Sequence, residues 1–233
     1  MMKNILLIGG SKGIGRALAQ QLQFESNLFV ASRSLEDLGD LKLTHIPFDA
    51  THDTLDTSAL PAELHGLVYL PGSINLRPFK GLKPEAFESD LHINFLGLVK
   101  VMQTVLSQLT AAPQSSVVAF SSVAATMGMP FHTSVAAAKG AIEGFSKAFA
   151  AEYAPKVRMN VIAPSLTDTP LADKFLNSEE KKEKAALRNP MKKVGTPQDI
   201  AQMTAFLLSE QSNWITGQVF AVDGGMSTLL VNG

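Results

Sequence analysis

The chain has 233 residues, 45% of them hydrophobic and 18% charged, with a formal net charge of −1 and no cysteine. That length suits one large α/β domain or two small ones, and the charge balance argues against disorder, nucleic acid or an anionic membrane as partner. The lack of cysteine excludes a disulfide scaffold, a thiolate nucleophile and a cysteine-ligated metal centre, and fits a reducing compartment.

The first predicted strand, 5–8, is a four-residue apolar run ended by Gly9-Gly10. It falls short of the roughly 7–15 residues of a secretion-signal core, and no run approaches the ~18–20 of a membrane span, so a cytoplasmic, soluble protein is expected. The strand leads into Gly9-Gly10-Ser11-Lys12-Gly13-Ile14-Gly15 and a helix over 14–23. Glycines there allow positive φ and close backbone approach to a diphosphate, and the helix N-terminus offers N–H groups and a positive dipole end. The spacing is G-x-x-x-G-x-G, not G-x-G-x-x-G, and its place at the first strand–helix junction makes nucleotide binding the reading.

The second strand, 28–31, runs into Ser32-Arg33. NAD-preferring folds place Asp or Glu at this strand end for the adenosine ribose. Here Ser32 and Arg33 stand with Lys12 nearby, and two cations without a carboxylate suit a 2′-phosphate, so NADP(H) is expected as cofactor. Further strands are predicted at 43–48, 67–70, 117–120, 157–162 and 218–222, and further helices at 84–108, 133–152 and 197–209. The nearly continuous Val, Ile, Leu and Phe of several strands is the pattern of a parallel sheet buried on both faces. Between the last two strands, residues 167–190 carry Leu171, Phe175, Leu176 and Leu187 and read as an apolar substrate lid. The mixed run from Glu179 to Lys184 reads as a solvated helix face. Alternating strands and helices predict an α/β, doubly wound (Rossmann-type) seven-stranded parallel sheet, one domain over 1–233, with ligands at the carboxyl ends of the strands.

The order of these segments resembles the short-chain dehydrogenase/reductase family over nearly the whole chain. The matching residues are Gly9, Gly13 and Gly15, Asp49-Ala50 after the third strand, Asn94 in Ile93-Asn94-Phe95-Leu96-Gly97, and Phe120-Ser121-Ser122. They continue with Ala136-Ala137-Ala138-Lys139, Asn160-Val161-Ile162-Ala163-Pro164, and the tail from Ile215 to Gly225. The resemblance implies a bound nicotinamide dinucleotide held by the glycine loop, Asp49, Ala50, Pro71, Gly72, Pro164, Ser165, Thr167 and Thr169. It also implies a homo-oligomer, dimer or tetramer, built on the helices carrying Asn94 and Lys139. In such enzymes a hydride goes to a carbonyl carbon while a tyrosine gives the oxygen its proton. A serine, matched by Ser122, orients the substrate. A lysine, matched by Lys139, holds the ribose, and an asparagine, matched by Asn94, anchors a relay water.

The tyrosine of that pattern lies four residues before the lysine and thirteen after the serine. Counts from Lys139 and from Ser122 both arrive at position 135, which is valine. Of the two tyrosines in the chain, Tyr153 falls about 21 Å beyond Lys139 at about 1.5 Å per helical residue. Tyr69 is expected to face the adenosine side of the cofactor. His132, seven residues before Lys139, is a candidate acid, because histidine titrates near neutrality; the alternative is a loop histidine preceding a helix. The stretch from Asp49 to Tyr69 leaves little room for a third crossover helix.

The leading expectation is an NADP(H)-dependent oxidoreductase reducing a small carbonyl or activated alkene, with atypical proton delivery. A non-catalytic NADP(H)-binding sensor or scaffold is the alternative. A methyltransferase on a similar sheet is disfavoured by Arg33 and the diphosphate-type loop, and nothing suggests a metal, a flavin or nucleic acid.

Overall fold

Seven short segments pair side by side, buried on both faces in the middle of the sheet and partly exposed at its two edges. They are β1 (Lys3–Ile8), β2 (Ser26–Ser32), β3 (Thr44–Pro47), β4 (Gly66–Tyr69), β5 (Ser115–Phe120), β6 (Val157–Pro164) and β7 (Val219–Val222). In this computed structural model, which describes residues 2–230, they form one parallel sheet in the order β3-β2-β1-β4-β5-β6-β7. The chain moves outward from β1 to β3, then returns to lay β4 against β1, in register from Ile5 opposite Gly66 to Ile8 opposite Tyr69. That reversal opens a crevice at the strand carboxyl ends between β1 and β4, where open α/β sheets take their ligands. The expected doubly wound α/β sheet is the one the chain forms.

Successive residues of β1 divide between the two faces. Leu6 and Ile8 join a core with Leu98, Val101 and Val105 of α3 (Gly97–Ala111) and Ile142 and Phe149 of α4 (Thr133–Tyr153). Ile5 and Leu7 join the opposite core with Ala17 and Leu18 of α1 (Gly13–Leu22) and with Ile200 and Leu207 of the last helix, Pro197–Leu208. That last helix opens as its sequence predicts. Thr196 accepts from the Asp199 N–H and Asp199 returns the bond, a capping box with Pro197 in the first turn.

Two expectations change. The helix over 84–108 is not continuous: α2 (Pro84–Leu91) passes into a π turn at His92–Leu96 before α3 begins. Side chains take up the carbonyls there. The Tyr69 hydroxyl donates to the Ile93 carbonyl at 2.7 Å, and the Asn94 amide donates to the Asp90 carbonyl at 2.8 Å, so the wider turn costs few unmet bonds. Tyr69 accordingly lies in the core beneath α3, with its hydroxyl where a Gly97 side chain would begin, and does not face the adenosine side. The link between β3 and β4 has no helix, as the short stretch there implied.

Candidate active site at the sheet's carboxyl edge

The strand ends converge on a cavity of about 1310 Å³, larger than the ~300–1,000 Å³ of a typical small-molecule pocket. Its floor begins at the glycine loop. Gly9 and Gly13 hold φ of +79° and +51°, conformations disfavoured for side-chain-bearing residues. A Cβ on Gly15 would stand 2.7 Å from the Gly10 Cα and 2.8 Å from the Gly9 carbonyl oxygen, so the loop folds back on itself only with glycine there. Lys12 precedes α1 without capping it by a side chain, and no acidic residue occupies the first turn. The first N–H groups are therefore free of side-chain competition for an anion. The Thr169 side chain sits 3.2 Å from the point where a Gly13 side chain would start, bringing the segment after β6 down over the loop.

Ser11, Lys12, Gly13, Ile14 and Gly15 border the cavity, as do Ser32, Arg33, Asp49, Ala50, Pro71 and Gly72. Gly9 and Lys139 border it as well, and Pro164, Ser165, Thr167 and Thr169 close it from the β6 side. The two expected cations differ in state. Lys12 already pairs with Asp37 at 3.4 Å, whereas among the described residues Arg33 makes no ion pair, and it is exposed. The Ser32 hydroxyl donates to the Ser34 carbonyl at 3.0 Å and sits 3.0 Å from His45 Nε2. Asp49 is held below the usual carboxylate range, first by the Thr51 hydroxyl and then by its N–H, with Arg33 adding to the effect.

At the other end lie Ser122, His132, Val135 and Lys139. Ser122 lies two residues beyond β5 and accepts the Ala124 N–H at 3.2 Å, so it caps a turn and borders the cavity at once, with its own proton left to donate. Val135 faces the same space at 5% exposure, in the first turn of α4. His132 precedes that helix, its Nδ1 2.7 Å from the Pro130 carbonyl. A carbonyl only accepts, so Nδ1 carries the proton; the neutral ring then presents a lone pair at Nε2 and gives a proton from that atom only as imidazolium.

Lys139 is buried to 8% exposure and its Nζ donates to the Phe120 carbonyl at 2.8 Å. Burial lowers its pKa to about 8, against the raising field of Asp90. Asn94 is fully buried and does not border the cavity. It stands behind Gly72, whose missing Cβ would lie 3.0 Å from Asn94 Oδ1 and 3.3 Å from Lys139 Nζ. Its amide donates to Ser73 Oγ at 2.8 Å, and Ser73 donates to Asp90 Oδ1 at 2.6 Å. Neither tyrosine reaches the cavity: Tyr153 stacks on Phe149 with ring centroids 4.4 Å apart.

Of the apolar segment after β6, Leu171 and Phe175 border the cavity, while Leu176 is buried beneath and Leu187 is exposed. The charged run forms α6 (Glu179–Leu187), after the short α5 (Asp173–Leu176), and is not wholly a solvated face, since Lys181 and Lys184 also border the cavity. Sequence reasoning missed these two lysines and the pair Ser73 and Asp90. The available signal for the pair was a serine directly after Gly72 and an aspartate one helical turn before Asn94. No helix among the described residues is long and apolar enough to cross a membrane.

A family pattern described as enoyl-(acyl carrier protein) reductase matches residues 49–227. The chain is 32% identical over 245 residues to a human 3-oxoacyl-[acyl-carrier-protein] reductase, covering 99% of this chain and all of that protein. A tropinone reductase homolog of Arabidopsis thaliana is 30% identical over 248 residues, covering 99% and 94% of the two chains. Among solved structures, the ligand-free aldohexose dehydrogenase of Thermoplasma acidophilum superposes with a TM-score of 0.90 at 27% identity, covering 100% and 96%. ElxO with NADP bound superposes at 0.89 and 26%, covering 98% and 100%. With the glycine loop, the sheet order and these relatives in agreement, the chain belongs to the short-chain dehydrogenase/reductase family of oxidoreductases.

Proposed function

We propose that the protein is an NADP(H)-dependent reductase of a small carbonyl or activated alkene whose proton does not come from tyrosine. The observation that carries this reading is one cavity bordered at one end by the glycine cradle and an exposed Arg33, and at the other by Ser122, Lys139 and Val135. The cradle suits a diphosphate, because its N–H groups are uncapped and its backbone admits close approach. Arg33 suits a 2′-phosphate as a charge-assisted donor. The NADP bound to ElxO, a relative of the same fold, supports the choice of cofactor. Bound there, the reduced dinucleotide supplies a hydride. The chain's own residues do the rest: Ser122 holds the carbonyl oxygen with its free proton, Lys139 holds the ribose, and Leu171 and Phe175 cover an apolar substrate. Cytoplasmic location and a homo-oligomer built on α3 and α4 belong to the same proposal.

Val135 also favours a second reading, a cofactor-binding protein without turnover. A general acid contributes ~10²–10⁴-fold. The experiment is NADPH consumption by wild type and Val135→Tyr on one panel of ketones, aldehydes and enones. Wild-type turnover supports the reductase. Turnover by Val135→Tyr alone supports the second reading, and NADPH failing to bind either protein overturns both.

A further inference from the structure

Behind the cavity wall, α2 carries a carboxylate that the proposed chemistry does not yet use. Asp90 is 2% exposed; its Oδ1 accepts from Ser73, and its Oδ2 has no hydrogen-bond partner among the described residues. A buried carboxylate oxygen without a partner is costly unless a cation compensates it. The groups around Lys139 narrow the choice. Glu143, one turn further along α4, is taken by the Ser121 hydroxyl at 2.6 Å. His132 turns to the Pro130 carbonyl. Phe120 offers a carbonyl from β5, and Gly72, Ser73 and Asn94 are uncharged. Asp90 makes no direct ion pair with Lys139 among the described residues; its Ser73–Asn94 bridge ends at Asn94 Oδ1, which flanks Gly72 together with Lys139 Nζ, and from there its field acts on the ammonium.

We propose that Asp90 is the buried counter-charge holding Lys139 as an ammonium ion, and that this ammonium gives the substrate oxygen its proton where Val135 replaces a phenol. The second half rests on the reductase reading above. Asp90 is a positioning residue here, acting through Lys139, with Ser73, itself held by the Asn94 amide, fixing its carboxylate. In the step, an Nζ–H bond breaks and an O–H bond forms on the carbonyl oxygen whose carbon takes the hydride. The electron pair of the broken bond stays on Nζ, and the neutral amine recovers a proton from solvent. The valine makes this possible by leaving no side-chain oxygen between Lys139 and the cavity.

The test is the pH titration of Lys139 in the full chain labelled with isotopic lysine, the resonance being assigned by its loss in Lys139→Met. A midpoint near 8 is expected for wild type, falling by about one unit, or tenfold in proton affinity, in Asp90→Asn and staying put in Asp90→Glu. An unchanged midpoint in Asp90→Asn overturns the pairing. Should that variant not fold, wild type with labelled aspartate decides it: the Asp90 carboxyl resonance must step at the Lys139 midpoint, and a flat trace overturns the pairing. In turnover, kcat must fall above that same midpoint, and a limb that ignores it overturns the proton delivery. If wild type reduces none of the panel, the reductase reading fails with the proton step, while the two titrations still decide Asp90.

Discussion

Lys139 buries a charge, and burial lowers its pKa from an ordinary 10.5 to about 8. Below pH 8 the folded and unfolded chains both hold the proton, and the folded chain carries the full cost of the buried ammonium. Between 8 and 10.5 the folded chain has released its proton and the unfolded chain has not, so the contribution of this group to stability rises with pH by about 3 kcal/mol. The stability of Lys139→Met relative to wild type is therefore expected to fall by about 3 kcal/mol between pH 7 and pH 11, read from urea unfolding at the two values. Arg33 carries the second prediction at this scale. A charge-assisted bond contributes ~1.5–3 kcal/mol, so Arg33→Ala should weaken NADPH binding roughly 10- to 150-fold with little change for NADH. An unchanged affinity ratio would refute the 2′-phosphate role. Both residues were legible in the sequence, one by counting and one by its place after an apolar strand. Asp90 was not, because α2 packs against α4 only through tertiary folding, which no spacing along one element reveals.

The helix over 84–108 reads as continuous because its apolar residues keep helical spacing throughout, and periodicity is blind to which carbonyls are taken by side chains. The π turn at His92–Leu96 rests on two such bonds, from Tyr69 and from Asn94, and one of them comes from a strand more than twenty residues away in sequence. Gly97 shows the same dependence. A Cβ there would collide with the Tyr69 hydroxyl, so Gly97→Ala is expected to destabilise by ~1–3 kcal/mol despite the ~1 kcal/mol that alanine contributes to a helix interior. The colliding atom is the hydroxyl oxygen, so in a Tyr69→Phe background most of that penalty should vanish. A double-mutant cycle by urea denaturation measures the difference; additive effects would show that the collision is not the cause. The strands were easier to read than this helix, because a four-residue run of buried Val, Ile and Leu has few alternatives once turn residues bound it on both sides.

At the scale of the whole molecule, the sheet order creates the crevice, and residues from the ends of four strands and the loops beyond the others close around it. The cofactor end of that cavity was legible because the glycine loop, Ser32-Arg33 and the segment after β6 each carry a local mark, while the lysines of α6 reach it only by tertiary folding. A ligand that binds only the folded chain stabilises it by mass action, about 2.7 kcal/mol at a concentration a hundred times its dissociation constant. For a chain of this size each kcal/mol raises the melting temperature by roughly 2–4 °C, so saturating NADPH should raise it by about 5–10 °C. NADH at the same concentration should raise it less, by the share that Arg33 contributes. S-adenosylmethionine, which has no diphosphate for the cradle, should leave it unchanged. Gly13→Ala places a methyl against Thr169 at a positive φ, and should remove most of the NADPH shift. A shift with S-adenosylmethionine and none with NADPH would overturn the dinucleotide assignment, because the fold at the carboxyl edge of this sheet would then be serving a different cofactor.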